Sequence, residues 1–447
     1  MISSRDLHRI WSQTESLILV GVVLPLLFGN AFGFREEPSE TGNPQSAIHD
    51  PKSKEKIRFS ADSTEGSRIG GELVKTYRGN VTVAHAGTVL HADEATYVQS
   101  EKEVLLRGHV SAADSESGRV LRADEATYYQ THEKVAFSGN VSVADSISMV
   151  TSDRMTYLVS SKELTAQKEV VATHGQKTLK AKRLKTRWEE KTVLAEGSVE
   201  FTDEENRLTL TCGRLEYDDR AQFGLATGSP KVTRKGRSSE EPIAVSADTL
   251  TVQTVEGKAV ALGHVHLVKG SLEAFCDSAT YFQKEERAVL SMTPRVFQRS
   301  GDPEKDEVLR KNALRGNMIQ LTLKDDVPSE VTVFGEAEAT STTLDSTGAE
   351  TSDTSFLKGR ILTMKLEAEK LSEMDVSGNA VSTYRTSGEA DRQAAENHAT
   401  GDRIVLFFDG GNLSRVLIEG GVLGTYYFAS KQAALPQKAP SAQNEAR

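Results

Sequence analysis

Stretches in which apolar and polar residues alternate recur along most of the chain. In residues 104–112 nearly every second residue is apolar, and most of the residues between them are polar. Such alternation predicts a β-strand with one buried face and one solvated face. Residues 135–143 and 193–201 follow the same pattern. A glycine takes one inward position in each stretch, where it indicates a bend or a close approach of another backbone. These glycines are Gly108, Gly139 and Gly197.

A second type of strand has a slip in its alternation. Leu121 and Ala123 are in phase, but the next apolar residues are Ala126 and Tyr128, so the pattern shifts by one position at Asp124. One extra residue is what a β-bulge or a sheet corner needs to keep apolar side chains on one side. We therefore expect a bend at Asp124, with its carboxylate bonded to the local backbone. The same slip occurs in residues 90–97, 208–217 and 272–281.

The two strand types recur at a nearly constant spacing. Gly79 to Gly108 is 29 residues, and Gly108 to Gly139 is 31. A fixed period indicates a repeat architecture, and each repeat is predicted to form several short strands that turn corners around one apolar interior. A right-handed parallel β-helix and a twisted jelly roll both fit, and the corner at each aspartate favours the jelly roll. The predicted fold class is therefore all-β, an elongated and repetitive twisted β-jelly-roll with an apolar interior groove.

The N-terminal residues have the features of an export signal. Arg5 and Arg9 precede an apolar run at residues 17–28. Positive charges before such a run keep the N-terminus in the cytoplasm and direct the remainder of the chain across the membrane. Residues 1–34 are thus predicted to be a signal peptide or a signal anchor. Cleavage would release the exported chain, and retention would anchor it in the membrane through residues 17–34; both alternatives stay open.

The remaining chain is divided by changes in composition. Two repeat regions are predicted, and the second carries polar insertions, at 339–355 and 386–400, that are expected to be flexible loops. The predicted segments are a flexible leader at 35–58, the first repeat region at 59–297, a charged linker at 298–311, the second repeat region at 312–429 and a disordered tail at 430–447.

Composition and motifs exclude several classes of function. The net charge of −10 provides no basic footprint for nucleic acid. No nucleophile elbow, phosphate-binding loop or His-Glu-x-x-His motif is present, so we predict no enzyme activity, no cofactor and no metal site. His264 and His266 have a spacing that metal sites use, but they are better explained as polar outward residues. Cys212 and Cys276 take inward positions held elsewhere by alanine, which predicts two buried, unpaired thiols.

The motif Ala123-Asp124-x-x-x-Tyr128, alternating with Gly139-Asn140-Val141, resembles the OstA-like family of periplasmic lipopolysaccharide-transport proteins of the LptA and LptC type. The resemblance implies a jelly roll whose apolar groove shields the acyl chains of lipopolysaccharide or a related glycolipid. It also implies passage from an inner-membrane ABC transporter to an outer-membrane β-barrel assembly, and end-to-end association through β-edges. The alternative from another class is a structural or adhesive β-solenoid of the cell envelope.

The inward apolar residues are the candidate lipid-binding site. They would line a groove only if the two layers of the jelly roll splay apart; otherwise they are a core. The predicted lining residues are Val81, Val83, Leu90, Ala92, Tyr97, Val104, Leu106, Val110, Leu121, Ala123, Tyr128, Val135, Phe137, Val141, Val143, Met155, Tyr157, Val199, Phe201, Leu215 and Tyr217. A basic stretch offers candidate contacts to lipid phosphate, with a solvated outer face as the alternative: Lys180, Lys182, Arg183, Lys185 and Arg187.

Overall fold

The computed structural model describes residues 57–85, 88–114, 119–187, 190–235, 241–300, 309–324, 327–367, 370–386, 395–409 and 412–428. Within these ranges the chain forms 28 β-strands and one 3₁₀ turn at Gln130–His132, without an α-helix. No helix in the described ranges has the length and apolarity needed to cross a membrane. The all-β prediction is confirmed. The predicted signal segment at 1–34, nearly all of the leader and the tail at 430–447 lie outside the described residues.

The chain divides into two compact units, Met1–Val296 with Met318–Val331, and Phe297–Asn317 with Thr332–Arg447. The strands of the first unit are β1 (Arg58–Ser60), β2 (Ser63–Ile69), β3 (Glu72–His85), β4 (Thr88–Val98), β5 (Glu103–Asp114), β6 (Arg119–Tyr129), β7 (Lys134–Ala144), β8 (Ser148–Leu158), β9 (Glu163–His174), β10 (Lys177–Arg187), β11 (Thr192–Asp203), β12 (Leu208–Asp218), β13 (Phe223–Thr227), β14 (Lys231–Arg234), β15 (Ile243–Ser246), β16 (Thr249–Gln253), β17 (Lys258–Lys269), β18 (Leu272–Phe282), β19 (Arg287–Ser291) and β22 (Met318–Lys324). Those of the second are β21 (Arg310–Arg315), β24 (Glu350–Glu367), β25 (Lys370–Thr386), β26 (Ala395–Asp409), β27 (Asn412–Glu419) and β28 (Leu423–Phe428). Two strands, β20 (Arg295–Ser300) and β23 (Val327–Leu344), contain residues of both units.

From β3 to β12, each repeat of the first unit is one antiparallel hairpin with a register shift in the middle of its ladder. From β3 to β12, consecutive strands pair along the chain, and most contain 11 or 12 residues. The prediction of several short strands per repeat is therefore wrong for β3–β12, where the strand continues on both sides of each bend. It agrees with β13–β16, which contain four or five residues each. Strands β20 and β21 also extend into the predicted linker, at residues 298–300 and 310–311.

The bulge lies on the glycine strand and not on the aspartate strand. Arg107 pairs with Glu125 and Val110 pairs with Ala123, so two residues of β5 stand opposite the single residue Asp124 of β6. The extra residue at each bend therefore belongs to the strand that carries Gly-Asn-Val or Gly-His-Val. The phase slip in the aspartate strand marks the place correctly but assigns the extra residue to the wrong strand.

The bulge glycines face the aspartates rather than the interior. Gly108 has a φ of +75°, and the following His109 has a φ of +46°. A Cβ added to Gly108 would overlap the carboxylate of Asp93, whose side chain is 62% exposed. The prediction that these glycines occupy inward positions is thus wrong. They permit a left-handed turn of the backbone and leave room for the neighbouring carboxylate.

The sheet folds over along the line of bulges, and its two halves enclose one apolar core. Inward residues from both halves of each bent strand belong to the same cluster in the first unit. Val81, Val104 and Phe201 within it are 0% exposed. Charged residues such as Arg122 and Glu125 take the outer face. This arrangement is the predicted β-jelly-roll.

The second unit keeps the bulge but has longer strands. Gly378 has a φ of +80°, and Ser377 and Ala380 of β25 flank the register shift. The predicted loops at 339–355 and 386–400 are largely strand in the described residues, because β23 reaches Leu344, β24 starts at Glu350 and β26 starts at Ala395. The stretch at 339–355 is rich in threonine, a residue that suits the pleated surface of a strand, so its low apolar content does not indicate a loop.

Candidate functional site

All of the predicted lining residues lie in the apolar cluster of the first unit. Tyr97, Leu121 and Tyr157 are partly buried, and the others are buried. The predicted inward orientation is therefore confirmed for the whole set, whereas lipid binding by these residues stays a prediction. The cluster is continuous from strand to strand because each strand contributes residues on both sides of its bulge.

The interior is packed at the positions described. Phe137 is 3% exposed and Met155 is 1% exposed, so their side chains contact other side chains rather than water. Burial of this kind is what a protein core requires. An acyl chain would have to displace these contacts by separating the two layers.

The two layers meet again on the side opposite the bulges, where each layer ends in a row of hairpin turns. At one row of turns, the last inward residues of the strands are polar, and we call them the polar rim. At the other row, tyrosines take this position, and we call them the tyrosine rim. The polar rim comprises His85, Arg119, Ser148, His174, Lys177 and Asp203. The tyrosine rim comprises Tyr97, Tyr128, Tyr157 and Tyr217.

Hydrogen bonds and an ion pair satisfy groups of the polar rim. Ser148 Oγ lies 2.9 Å from His174 Nδ1. The Lys177 ammonium lies 4.0 Å from the Asp203 carboxylate, and the two side chains are 8% and 0% exposed. Burial lowers the pKa of Lys177, and burial together with the Lys177 charge lowers the pKa of His174. The rim is thus polar but enclosed.

A hydrogen bond between His85 and Tyr128 connects the two rims. His85 Nδ1 lies 2.5 Å from the Tyr128 hydroxyl, and the two ring centroids are 5.7 Å apart. His85 ends β3, whereas Tyr128 lies near the end of β6, with β4 and β5 between them in the ladder. The contact therefore joins the two layers rather than neighbouring strands.

Aromatic side chains occupy the N-terminal end of the interior. Phe59 stacks on Tyr77 with ring centroids 4.4 Å apart and an interplanar angle of 2°. Tyr97 packs against the same Phe59 ring at 5.6 Å. All three side chains are partly buried and contact the apolar cluster.

The repeated aspartates bond to the bulge opposite them. Asp124 accepts a hydrogen bond from Asn140 Nδ2 at 2.9 Å, and the Asp62 carboxylate accepts an equivalent bond. The predicted bond to local backbone is replaced by this bond between side chains. His109 takes the place of asparagine in the next repeat, 2.7 Å from the Asp93 carboxylate, and that hydrogen bond raises the pKa of His109.

These aspartate positions do not assemble into a metal site in the described ranges, where no suitable group of His, Cys, Asp and Glu occurs. His264 is 87% exposed and lies 2.8 Å from the Asp248 carboxylate. His266 instead stacks on Phe275 at 4.4 Å. The structure therefore uses the two histidines for separate contacts.

Four cations of the predicted phosphate-contact set make ion pairs with glutamates. Their shortest nitrogen–oxygen distances are 3.1 Å for Lys180 with Glu200, 3.6 Å for Arg183 with Glu196, 2.8 Å for Lys185 with Glu163 and 2.9 Å for Arg187 with Glu163. The side chain of Lys182 covers Gly197. These contacts fit a solvated outer face, and phosphate contact by this set stays a prediction.

The cysteines are buried and free, as predicted from their inward positions. Burial raises the pKa of each thiol, Cys212 and Cys276, to about 11. They contribute to packing as small apolar side chains.

The polar rim was missed in the sequence. Its signal was present, because the alternation of β3 continues one step past Val83 to His85, and that of β10 begins at Lys177 before Leu179. A polar residue at the last inward position before a turn marks the edge of a core.

Comparisons with known proteins show which proteins parts of this chain are similar to. Residues 60–163 match the family model described as LptA/(LptD N-terminal domain) LPS transport protein. Among solved structures, the chain is similar to the crystal structure of LptH from Pseudomonas aeruginosa, described as the LptA homologous periplasmic component of the conserved lipopolysaccharide transport device. The identity is 21%, the match covers 26% of this chain and 84% of that chain, and the TM-score is 0.23. Curated proteins gave no match. Residues 60–163 are thus similar to the LptA/LptD N-terminal family of lipopolysaccharide-transport proteins, the OstA-like family that the repeats resemble.

Proposed function

We propose that the interior of the first unit binds the acyl chains of lipopolysaccharide or a related glycolipid and shields them during transit through the periplasm. The observation that carries the proposal is the continuous apolar cluster inside a unit whose residues 60–163 match a lipopolysaccharide-transport family. Transferring an acyl chain from water into such an interior is favourable by about 0.8 kcal/mol per buried methylene. Binding without turnover suffices for this role.

Opening the interior leaves the backbone ladder intact. The strands are bonded to their neighbours along the chain, and the layers remain joined through the bulges. At the rims, side chains of the described residues connect the layers, as the bond between His85 and Tyr128 illustrates. Separation of the layers at the rims therefore costs side-chain contacts, which entering acyl chains replace.

The chain would receive its lipid from an inner-membrane ABC transporter and deliver it to an outer-membrane β-barrel assembly. Energy would come from the transporter, because the proposed role needs no chemistry within this chain. Association through β-edges would extend the apolar route from one protein to the next. Residues 17–34 would hold the chain at the inner membrane if they are retained after export.

A structural or adhesive role in the cell envelope is the second candidate. It is favoured by the packed interior, since Val104 and Phe201 are 0% exposed and leave no room at their positions for a ligand. In this alternative the interior is a core that never opens.

The deciding experiment compares acylated lipopolysaccharide with its fully deacylated form, which keeps the phosphates. We expect the purified chain to bind the acylated form and not the deacylated one, because only the acyl chains enter the interior. Equal binding of the two forms would indicate that the lipid is bound by outer cations such as Lys180 and Arg183. Binding of neither form would favour the structural role.

A further inference from the structure

The rims define a seam that runs beside the apolar cluster of the first unit. On the bulge side the two layers are connected by the bent strands themselves. On the seam side the layers end in turns, and the inward residues beside those turns are the polar rim and the tyrosine rim. In the described residues, the side chains of these rims separate the interior from water along the seam.

The contact between His85 and Tyr128 spans this seam. The Tyr128 ring is 2% exposed and packs in the apolar cluster, while its hydroxyl lies 2.5 Å from His85 Nδ1. His85 is partly buried and is the last residue of β3. The hydrogen bond thus ties the end of one layer to the end of the other.

We propose that the seam is a lateral entrance through which an acyl chain enters the interior sideways, and that the His85–Tyr128 hydrogen bond is the clasp that holds this entrance shut. The inference rests on the proposed function and specifies how its site is loaded. Sideways entry lets the apolar chain reach the cluster while its polar head stays beside Arg119, Ser148 and the other polar-rim residues. Threading through an end of the interior would instead draw the head along the apolar core, which carries a desolvation cost.

The outer face of β6 supplies a matched control for the clasp. Tyr129 follows Tyr128 on this strand and lies outside the apolar cluster. Its ring packs under the Lys134 ammonium, 4.0 Å from the ring centroid. Replacing either tyrosine with phenylalanine removes one hydroxyl, but Tyr128→Phe also removes a contact across the seam.

The test measures how fast a fluorescent fatty-acyl probe enters and leaves the full-length chain, by stopped-flow mixing. Loss of one hydrogen bond is expected to accelerate entry and exit in Tyr128→Phe by about fivefold, with little change in affinity because the bond reforms around a bound chain. Tyr129→Phe is expected to match the wild type. Far-UV circular dichroism checks that both variants keep the β fold.

A covalent link between positions 85 and 128 is expected to slow loading instead of accelerating it. In the double variant His85→Cys with Tyr128→Cys, a short crosslinker that a reductant can cleave joins the two thiols. The crosslink is expected to slow probe entry below the wild-type rate, and cleaving it is expected to restore entry. The native thiols Cys212 and Cys276 do not compete, because they are buried and their pKa values lie near 11.

The outcomes separate the entrance from the function. If the wild type binds the probe but Tyr128→Phe and the crosslinked variant load at the wild-type rate, the lateral entrance is refuted and loading occurs at an end of the interior. If the wild type binds no acyl probe, the proposed function fails and the entrance with it.

Discussion

The substitution Gly139→Ala tests why each bulge carries a glycine. Gly139 has a φ of +77°, a conformation that costs a residue with a Cβ about 1 kcal/mol. The added Cβ would lie 2.9 Å from the Asp124 Cβ and would overlap its carboxylate. Asp124 would have to rotate and lose its 2.9 Å hydrogen bond from Asn140, a loss of about 0.5–1.5 kcal/mol. The total expected destabilisation is about 2 kcal/mol.

Gly175 provides the matched control. Its φ is +56°, but nothing lies within 4 Å of its added Cβ, because it occupies an open turn between β9 and β10. Gly175→Ala should therefore cost only the backbone contribution of about 1 kcal/mol.

Native-state hydrogen exchange measures both effects locally, which matters because a long repeat array need not unfold in one step. We expect exchange of the β6 and β7 amides to accelerate about 30-fold in Gly139→Ala, and exchange around Gly175 to accelerate about fivefold in its variant. Equal acceleration in the two variants would refute the close approach of Asp124 as the reason for the glycine.

Three further outcomes are expected, for Asn140, for His109 and for the two cysteines. The substitution Asn140→Val places a β-branched residue at a φ of +47° and removes the hydrogen bond to Asp124, so it should destabilise the same hairpin by about 2 kcal/mol. Asn140→Gly should cost less, because glycine adopts a positive φ without strain. Hydrogen exchange distinguishes the two variants. The pKa of His109 is raised by its hydrogen bond to Asp93, so the pair stabilises the fold below the ordinary histidine pKa and loses that contribution as pH rises through the raised value. An NMR titration should show this pKa falling in Asp93→Asn; an unchanged value would contradict the assignment. Cys212 and Cys276 should not react with Ellman's reagent at pH 8 until denaturant is added, and rapid reaction of the native chain would contradict their burial.

The strands and their inward faces could be predicted because side chains alternate with a period of two. The odd spacing between Ala123 and Ala126 also revealed the bend. The spacing on the partner strand hid the bulge: Leu106 and Val110 are four residues apart, an even number that looks like unbroken alternation. Sequence pattern alone therefore located the corner but not the strand that carries the extra residue.

The contact across the seam could not be predicted. His85 and Tyr128 are 43 residues apart, and their meeting depends on how far the twisted sheet folds over. The polar stretches of the second unit were misassigned for a different reason. Backbone pairing there, as between Ser355 and Tyr384, satisfies the hydrogen-bonding groups of the strand whatever the polarity of its side chains.

The most direct test of the central claim is photo-crosslinking in cells from benzoylphenylalanine at position 137. Phe137 is 3% exposed in the apolar cluster, whereas Arg122 of the neighbouring strand lies on the exposed outer face and serves as the control position. We expect a covalent adduct with lipopolysaccharide or a related glycolipid from position 137 and none from position 122. Folded protein without a lipid adduct at position 137, or equal lipid adducts at both positions, would contradict an interior that carries acyl chains.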